Sequence, residues 1–421
     1  MDVRDPSQLA IAAACVGNAA EWYDFAIYGA MATVVGLVFF PAADPAAALS
    51  AAFAAYGTAF LVRPLGALLF GRLGDTRGRR TVLVRVIFVM AGATAGVALL
   101  PGYAVIGVLA PILLMLLRAA QGLAAGGELG VAAVFILEKA TSSRRGQAAS
   151  WHMATMAVGI GTGMAVTGAL SYLFAGYGLE SGWWRVAFLL ALPLGLIGIY
   201  LRRRVTETEQ FVALQDESKL VSQPVRDLWN RQRRAVGRGF WLIAAGSLAF
   251  NTFFIFMPNN RISRHDAGLA QTLLVTAGAL GLAAVAALVL GRASDHVGRR
   301  PVVIGSTAAL AFLATPMGLL ASRGSLLGLF VAELLIGVAV AGVLSFAMLG
   351  ELFEAPVRST GLALTGGLAT ALIGGTAPLM AQMLVRATHM EALPGIYVAV
   401  IAGVALVALR GWPETAFTDL D

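Results

Sequence analysis

Twelve apolar stretches, each about as long as a lipid bilayer is thick, constrain this chain more than any other feature. They run over residues 9–39, 49–71, 81–100, 105–137, 149–173, 184–201, 239–259, 269–291, 301–321, 326–349, 359–385 and 394–410. A segment of this length satisfies its backbone hydrogen bonds in lipid by forming a helix. With 58% hydrophobic residues and a mean hydropathy of +0.80, the sequence predicts an all-α membrane protein with twelve transmembrane helices.

A ten-residue frame, G-R-x-x-D-x-x-G-R-R, occurs twice and predicts a duplicated unit. We expect each copy to be a tight, basic loop between two spans. The defining positions are Gly71, Asp75, Gly78, Arg79 and Arg80 in the first copy, and Gly291, Asp295, Gly298, Arg299 and Arg300 in the second. The pairs Glu138 with Arg145 and Glu351 with Arg358 repeat with the same spacing. The sequence therefore predicts two six-helix pseudo-repeats, 1–201 and 239–421, joined by a cytoplasmic linker, 202–238.

The positive charges predict the orientation in the membrane. About 23 of the 30 Lys and Arg residues fall on one side of the predicted topology, the pattern expected of cytoplasmic segments. Both termini and both repeated loops should then face the cytoplasm. Since this asymmetry also accounts for the net charge of +7, we expect the lipid bilayer and no nucleic acid as a partner. The single cysteine, Cys15, excludes an internal disulfide and a cysteine metal site.

The repeated loop resembles the signature loop of the major facilitator superfamily, and two apolar stretches resemble the narrower metabolite:proton symporter family. The matching residues are Gly17, Asn18, Glu21, Trp22, Tyr23, Asp24, Phe25, Tyr28 and Gly29 in the first stretch, and Arg118, Gln121, Gly122, Gly126, Gly127 and Glu128 in the fourth. The resemblance implies the major facilitator fold in a bacterial cytoplasmic (inner) membrane. It also implies that a proton drives transport of a small molecule such as citrate, 2-oxoglutarate, shikimate, proline or betaine. No cofactor is implied beyond the coupling proton, and we expect a monomer.

Acidic residues within the spans are candidates for carrying the proton. Glu21 and Asp24 are three residues apart and therefore share one helix face, and Glu128 follows two glycines. A carboxylate in a partly dry cavity exchanges a proton as access to the cavity alternates. The alternative is a permanent ion pair with arginine that only holds helices together. For Glu333, in the tenth stretch, the sequence favours such a structural pair.

Arg63 and Arg118 are the candidates for binding substrate, because a guanidinium fixes a carboxylate through two parallel hydrogen bonds. The alternative, given equal weight, is that they neutralise Asp24 or Glu128. Gln121, Tyr28, Tyr56 and Asn251 are candidates for lining the same cavity, although such residues are more often plain packing.

Charged residues at the repeated loops form a predicted latch that closes the cytoplasmic side. The members are Asp75, Arg79, Glu138 and Arg145 in the first half, and Asp295, Arg299, Glu351 and Arg358 in the second. The alternative is that they serve only as topology signals. On the other side, the sequence predicts a short outer loop after the seventh span that contains Asn259, Asn260 and Arg261.

The sequence thus favours a proton-coupled symporter that imports a small organic carboxylate by alternating access. One alternative keeps the fold and changes the substrate to a zwitterion of the proline or betaine type. Another is an exporter of an organic acid, although the fifth stretch lacks the Gly-Pro pair of the superfamily's antiporters. An enzyme is not expected, because the sequence contains no metal cluster, nucleophile elbow or phosphate loop.

Overall fold

A computed structural model describes residues 6–41, 44–77, 79–126, 136–137, 140, 142–178, 181–204, 224–354 and 357–417. Within these ranges, side chains are described from residue 15 onward, except those of residues 71–84, 142, 199, 201–227 and 230.

Every described element is a helix or a short helical turn, and the helices follow the predicted spans in order. Spans one to six comprise Pro6–Ala30 with Ala32–Phe39, Pro45–Leu61 with Arg63–Arg77, Arg79–Leu99, Leu109–Gly126, Arg145–Leu173, and Trp184–Leu189 with Ala191–Arg204. Spans seven to twelve comprise Pro224–Asn251 continued to Ser263, Leu269–Val297, Arg299–Arg323, Leu326–Val343 with Phe346–Glu351, Arg358–Ala369 continued to Thr388, and Leu393–Ala408.

Length and apolar character agree with twelve crossings. Among the described residues, eight helices are long and apolar enough to span a membrane, and one bent pair forms a ninth span. Three shorter apolar helices, Arg85–Leu99, Trp184–Gly198 and Leu393–Ala408, occupy the remaining predicted positions. The fold is therefore the predicted all-helical one, whereas the limits 1–201, 202–238 and 239–421 of its two halves and linker remain a prediction.

The repeated frame is mostly helix rather than the predicted loop. Span eight continues through Asp295 to Val297, and span nine begins at Arg299. The whole turn falls on Gly298, whose φ of +103° lies where residues with a side chain are strained. In the first copy the flanking helices end at Arg77 and resume at Arg79, while Gly78 lies outside the described residues.

Three further limits differ from the prediction. Span one is bent by 62° at a break next to Met31. Span four starts at Leu109 rather than at residue 105, because Gly107 adopts a φ of +59° and ends a separate short turn. Span seven starts in the predicted linker, at Pro224, and continues through a π-helical segment to Ser263. Asn259, Asn260 and Arg261 are therefore buried in a helix rather than in an outer loop.

Glycines bring spans two and four into backbone contact. A Cβ at Gly122 would overlap the carbonyl oxygen of Ala59, and one at Gly126 would overlap that of Arg63. Small residues four apart are the usual means by which helices in lipid approach closely. This packing positions Arg63 of span two against the face of span four that carries Arg118 and Gln121.

Span five joins the two halves of the chain. Gly159 and Gly163 pack against span one at Ala19 and Tyr23, while Gly168 packs against span eight at Ala270. Near the other end of span eight, Gly291 approaches Gly146 and Ser150 of span five. Spans five and eight are therefore in contact from end to end.

We predict that Gly122→Ala destabilises the protein, since the new methyl group meets backbone that cannot move aside. Overpacking of this kind costs about 1–3 kcal/mol, which should appear as a lower unfolding temperature in detergent. Gly92→Ala is the matched control, because a Cβ there has nothing within 4 Å. Equal unfolding temperatures for the two variants would contradict the close contact between spans two and four.

Candidate transport site

The carboxylate of Asp24, on span one, lies at the centre of a buried hydrogen-bond network. Thr94 Oγ1 on span three donates to its Oδ1 over 2.6 Å, and Gln121 Nε2 on span four donates to its Oδ2 over 2.7 Å. The same Gln121 accepts at its Oε1 from Arg118 Nη1 over 2.8 Å. Asp24 is only 3% exposed and Arg118 is fully buried. Gln121 thus connects an acid and a guanidinium that make no ion pair within 4.0 Å in the described part of the chain.

Aromatic rings surround both guanidinium groups. The Arg118 guanidinium carbon lies 4.3 Å from the ring centre of Tyr28 and 5.0 Å from that of Phe25. The Arg63 guanidinium carbon lies 4.6 Å from the same Phe25 ring and 4.4 Å from Phe60. Cation–π contacts of this kind stabilise a cation without neutralising its charge. The two arginines therefore keep their positive charge available on either side of a shared aromatic residue.

Glu21 lies beside Arg63, with 3.6 Å between Oε1 and Nη2. A cavity of about 30 Å³ between spans one, three and six borders Glu21, Asp24 and Thr94. A space of this size next to two carboxyl groups is large enough for one or two waters. The Asp24 carboxylate therefore has a water-sized space on one side and the Gln121 amide on the other.

Tyr56 connects the site to the second half of the chain. Its hydroxyl donates to Asn251 Oδ1 on span seven over 2.8 Å, and its ring stacks on Tyr28 at 6.1 Å between centroids. The Tyr28 hydroxyl itself donates to the carbonyl of Ala52. Asn251 directly precedes the π-helical segment 252–256, a distortion that is frequent at functional sites.

On the side of the molecule at Gly298, here called the motif side, Asp295 of span eight caps the start of span five. The Asp295 carboxylate accepts from the backbone N–H groups of Gly146 and Gln147, each over 2.8 Å, at the start of span five. That helix has no side-chain cap of its own at Arg144. Because a helix N-terminus has free N–H groups and a partial positive charge, a carboxylate there is stabilising.

A buried charge cluster surrounds this cap. Arg299 pairs with Asp295 at 2.7 Å and with Glu351 at 3.5 Å, and Arg145 from the first half pairs with Glu351 at 3.6 Å. Thr415 donates to Glu351 as well, over 2.6 Å. Three predicted latch residues of the second half, Asp295, Arg299 and Glu351, are thus together, and Arg145, assigned to the first half, binds the second.

The predicted latch residue Arg358 and the nearby Glu414, which was not predicted, bind backbone groups. Arg358 Nε donates to the carbonyls of Gly350 and Phe353. The Glu414 carboxylate accepts from the N–H groups of Arg299 and Arg300, which start span nine. These backbone bonds hold the pKa of Glu414 below its ordinary value although partial burial acts the other way.

On the opposite side, Asn259 joins span seven to span one. Its Nδ2 donates to the carbonyl of Gly29 over 2.7 Å, and its Oδ1 accepts from Thr33 N–H over 3.3 Å and from Thr33 Oγ1 over 3.1 Å. In an uninterrupted α-helix the Gly29 carbonyl and the Thr33 N–H bond to each other. The amide of Asn259 therefore binds span one at its break, and Arg386 pairs with Asp44 nearby at 2.7 Å.

Several predicted site residues lie outside this description. Gly78, Glu128 and Glu138 are outside the described residues, and the side chains of Asp75, Arg79 and Arg80 are not described; Gly71 falls in the same stretch.

The expectation of a structural ion pair for Glu333 is wrong within the described residues, where its carboxylate accepts a hydrogen bond from Thr276 and has no cation within 4.0 Å. Sequence reasoning also missed Thr94, whose only signal is a hydroxyl in an apolar span.

Two family models match the chain. The one described as "Major Facilitator Superfamily" covers residues 9–260, and the one described as "Sugar (and other) transporter" covers residues 218–421. The chain is 34% identical over 426 residues to the proline/betaine transporter of Salmonella typhimurium, spanning 97% of this chain and 83% of that protein. It is 32% identical over 410 residues to the alpha-ketoglutarate permease of Escherichia coli K12, spanning 94% and 92%.

Solved structures agree with the fold. The proton:xylose symporter XylE bound to 6-bromo-6-deoxy-D-glucose superposes with a TM-score of 0.78 at 16% identity, covering 97% of this chain and 96% of that one. A partially occluded inward-open form of XylE from E. coli gives a TM-score of 0.71 at 18% identity, covering 98% and 99%.

Twelve membrane-spanning helices with charged residues buried between them define a polytopic membrane transport protein. The chain belongs to the major facilitator superfamily, as the family model over residues 9–260 and relatives above 30% identity show. The protein is therefore a multi-pass transporter and not an enzyme.

On the side opposite the motif, we predict a pH-dependent contribution to stability from Glu391. Hydrogen bonds from Arg264 and Arg323, at 2.6 and 2.7 Å, hold its pKa below the ordinary value. This stabilisation is complete above about pH 4.3 and is lost as the pH falls through the lowered pKa. Glu391→Gln should lower the unfolding temperature at pH 7 by about 1–3 °C, with a smaller difference near pH 4.

The control for this prediction is Asp266→Asn, which removes a more exposed carboxylate 3.4 Å from Arg264. It should have less effect than Glu391→Gln at pH 7. An effect of Glu391→Gln that is equal at pH 7 and pH 4 would show that the ion pairs do not provide the stabilisation.

Proposed function

We propose that this protein is a proton-coupled symporter that imports a small organic carboxylate, such as a di- or tricarboxylate. The observation that carries this proposal is the chain of hydrogen bonds from Arg118 through Gln121 to Asp24. A solute carboxylate at the arginine changes the electrostatic environment of the acid, and protonation of the acid changes the net charge around the arginine. The two binding events are thereby coupled through one amide.

Asp24 is the proposed proton site. Its two oxygens accept from an amide and a hydroxyl rather than from an arginine, so protonation does not require breaking an ion pair. The Thr94 hydroxyl and the Gln121 amide hold the carboxyl in place in both protonation states, and the cavity beside it supplies room for the water that delivers the proton. Two further candidates remain. Glu21 lies beside Arg63, and Glu128 lies outside the described residues.

Arg118 and Arg63 are the proposed carboxylate ligands. Within the described residues, Nε and Nη2 of Arg118 and all three side-chain nitrogens of Arg63 have no hydrogen-bond partner. Buried donors without acceptors cost about 1–3 kcal/mol each, and a bound carboxylate supplies paired acceptors for them. With Asp24 protonated, two arginines face one ionised acid, so a single carboxylate balances the charge of these four residues.

The aromatic residues favour a second candidate substrate, a zwitterion of the proline or betaine type. The rings of Tyr28, Tyr56, Phe25 and Phe60 lie against the guanidinium groups of Arg63 and Arg118. Aromatic faces bind quaternary and secondary ammonium groups as well as guanidinium. The names of the relatives include both substrate types, a proline/betaine transporter and an alpha-ketoglutarate permease.

The contacts across the halves support alternating access. We infer that the contacts among Asp295, Arg299, Glu351 and Arg145 close the motif side, and that Asn259 closes the opposite side. We place the motif side and both termini in the cytoplasm, because basic residues are concentrated there. Inward opening then breaks the motif-side cluster and outward opening releases Asn259. Transport as a monomer in a bacterial inner membrane completes the proposal.

Uptake into proteoliposomes tests this function. Under an inward proton gradient, labelled 2-oxoglutarate, citrate, shikimate, proline and betaine are offered in turn to the parent protein and to Asp24→Asn. We predict gradient-dependent accumulation of one of the three organic anions, 2-oxoglutarate, citrate or shikimate, by the parent. The variant should exchange that solute across the membrane but lose accumulation at least tenfold, because it carries no proton at this site.

Asp266→Asn is the matched acid-to-amide control and should accumulate solute like the parent. Accumulation of proline or betaine alone would select the zwitterion. Unchanged accumulation by Asp24→Asn would remove Asp24 from the proton path. Solute leaving the vesicles against an opposing proton flow would replace import by export.

A further inference from the structure

Two of the aromatic side chains beside the guanidinium groups also reach the second half of the chain. Tyr56 and Phe60 lie near the middle of the apolar stretch Pro45–Phe70 of span two, and their ring centres are 5.1 Å apart. The Tyr56 ring centre lies 5.7 Å from the guanidinium carbon of Arg118, and the Phe60 ring centre lies 4.4 Å from that of Arg63. The contacts that these two residues make with spans seven and eleven therefore join the halves next to the candidate transport site.

Tyr56 is bound to span seven by a buried hydrogen bond. Its hydroxyl donates to Asn251 Oδ1 over 2.8 Å, and Asn251 Nδ2 donates to the carbonyl of Ser247 over 2.9 Å. Tyr56 is 2% exposed and Asn251 is 4% exposed. Both ends of the Asn251 amide and the hydroxyl proton of Tyr56 are thus used within the protein, which favours a link between the halves over direct binding of solute.

Phe60 lies against span eleven at a glycine. A Cβ at Gly375 would overlap the Cβ and the ring of Phe60, and a Cβ at Gly57 would lie 3.3 Å from the carbonyl oxygen of Gly375. Spans two and eleven therefore approach each other closely at this depth, and position 375 has no room for a side chain. Because Tyr56 and Phe60 are four residues apart, their two contacts with the second half lie about one helical turn apart.

Each contact adjoins a π-helical segment of the second half. Asn251 directly precedes the segment 252–256, and Gly375 directly follows the segment Thr370–Gly374. Segments of this kind are rare in proteins and occur frequently at functional sites. Two of them beside the same turns of span two indicate that this junction does more than fill space.

We propose that Tyr56 is a positioning residue that holds the two halves together near the middle of the spans, through its hydrogen bond to Asn251 and with Phe60 against Gly375. The inference rests on the alternating access of the proposed function, in which opening towards either side draws span two away from spans seven and eleven. In an open state, water supplies the donor for Asn251 Oδ1. In the closed state that oxygen is buried and needs Tyr56, so loss of the hydroxyl costs free energy in the closed state alone.

Pulsed electron paramagnetic resonance in detergent, without solute, tests the proposal. Spin labels are attached to a Cys15→Ala background at two pairs of exposed positions, with one residue of each pair in either half. The pairs are Tyr177→Cys with Met390→Cys opposite the motif, and Ser143→Cys with Phe417→Cys on the motif side. Tyr56→Phe should raise the ratio of long, open distances to short, closed distances about fivefold or more at one of the pairs.

Tyr23→Phe is the matched control. It removes a buried hydroxyl that donates to the carbonyl of Ala187 within the first half, and it should leave both distance distributions as they are in the parent. Asn251→Ala should act as Tyr56→Phe does. Combining these two substitutions should raise the ratio no further, because both remove the same hydrogen bond.

Gly375→Ala tests the neighbouring contact and decides the matter if Tyr56→Phe does not fold. Its new methyl group meets Phe60 and should raise the same ratio. Gly403→Ala, on span twelve, is its control and should not, because a Cβ there has nothing within 4 Å.

Parent-like distances for Tyr56→Phe overturn the proposal, as do parent-like distances for Gly375→Ala where that variant decides. An equal response of Tyr23→Phe overturns it as well, since the loss of any buried hydroxyl would then open the halves. These measurements use neither solute nor a proton gradient, so this inference and the proposed function fail separately.

Discussion

The cost of placing charge inside a membrane protein governs the arrangement of this molecule. Even on insertion scales an ionisable side chain in a span costs about 2.5–3.5 kcal/mol, and the described core contains Glu21, Asp24, Arg63, Arg118 and Glu333. The structure limits this cost in different ways. The arginines lie against aromatic rings, Asp24 is held by an amide and a hydroxyl, and Glu333 receives one hydroxyl. Each arrangement leaves a charge that can change or bind a partner, which a set of tight ion pairs would not.

Backbone groups at helix ends and breaks explain how the two halves are held together. On the motif side, Asp295 of the second half caps span five of the first half. On the opposite side, the amide of Asn259 binds a carbonyl and an N–H four residues apart in span one. In both places a polar side chain satisfies backbone groups that its partner helix leaves free. Contacts of this kind suit the alternating access proposed above.

The sequence predicted the helices well and their irregularities poorly. Apolar length and repetition were enough to locate twelve spans, because each has to cross the same thickness of lipid. They did not reveal the bend at Met31, the one-residue turn at Gly298 or the burial of Asn259, Asn260 and Arg261, since these depend on which helix packs alongside. Arg261 looked like a loop residue because it is charged and near a span end. Its burial depends on the carbonyls of Ala321 and Gly324, 60 or more residues further along the chain.

The residues of the candidate site could be predicted from the sequence, but their contacts could not. Asp24, Gln121 and Arg118 could be selected from the sequence because polar residues are rare in spans. Their connection through the Gln121 amide could not be predicted, and neither could the hydrogen bond from Thr94.

The most direct test of the central claim is calorimetric binding of the transported carboxylate in buffers that differ in ionisation enthalpy. The coupling through Gln121 predicts that the parent takes up close to one proton per solute bound at neutral pH and that Asp24→Asn takes up none. Equal proton uptake by both proteins would contradict it.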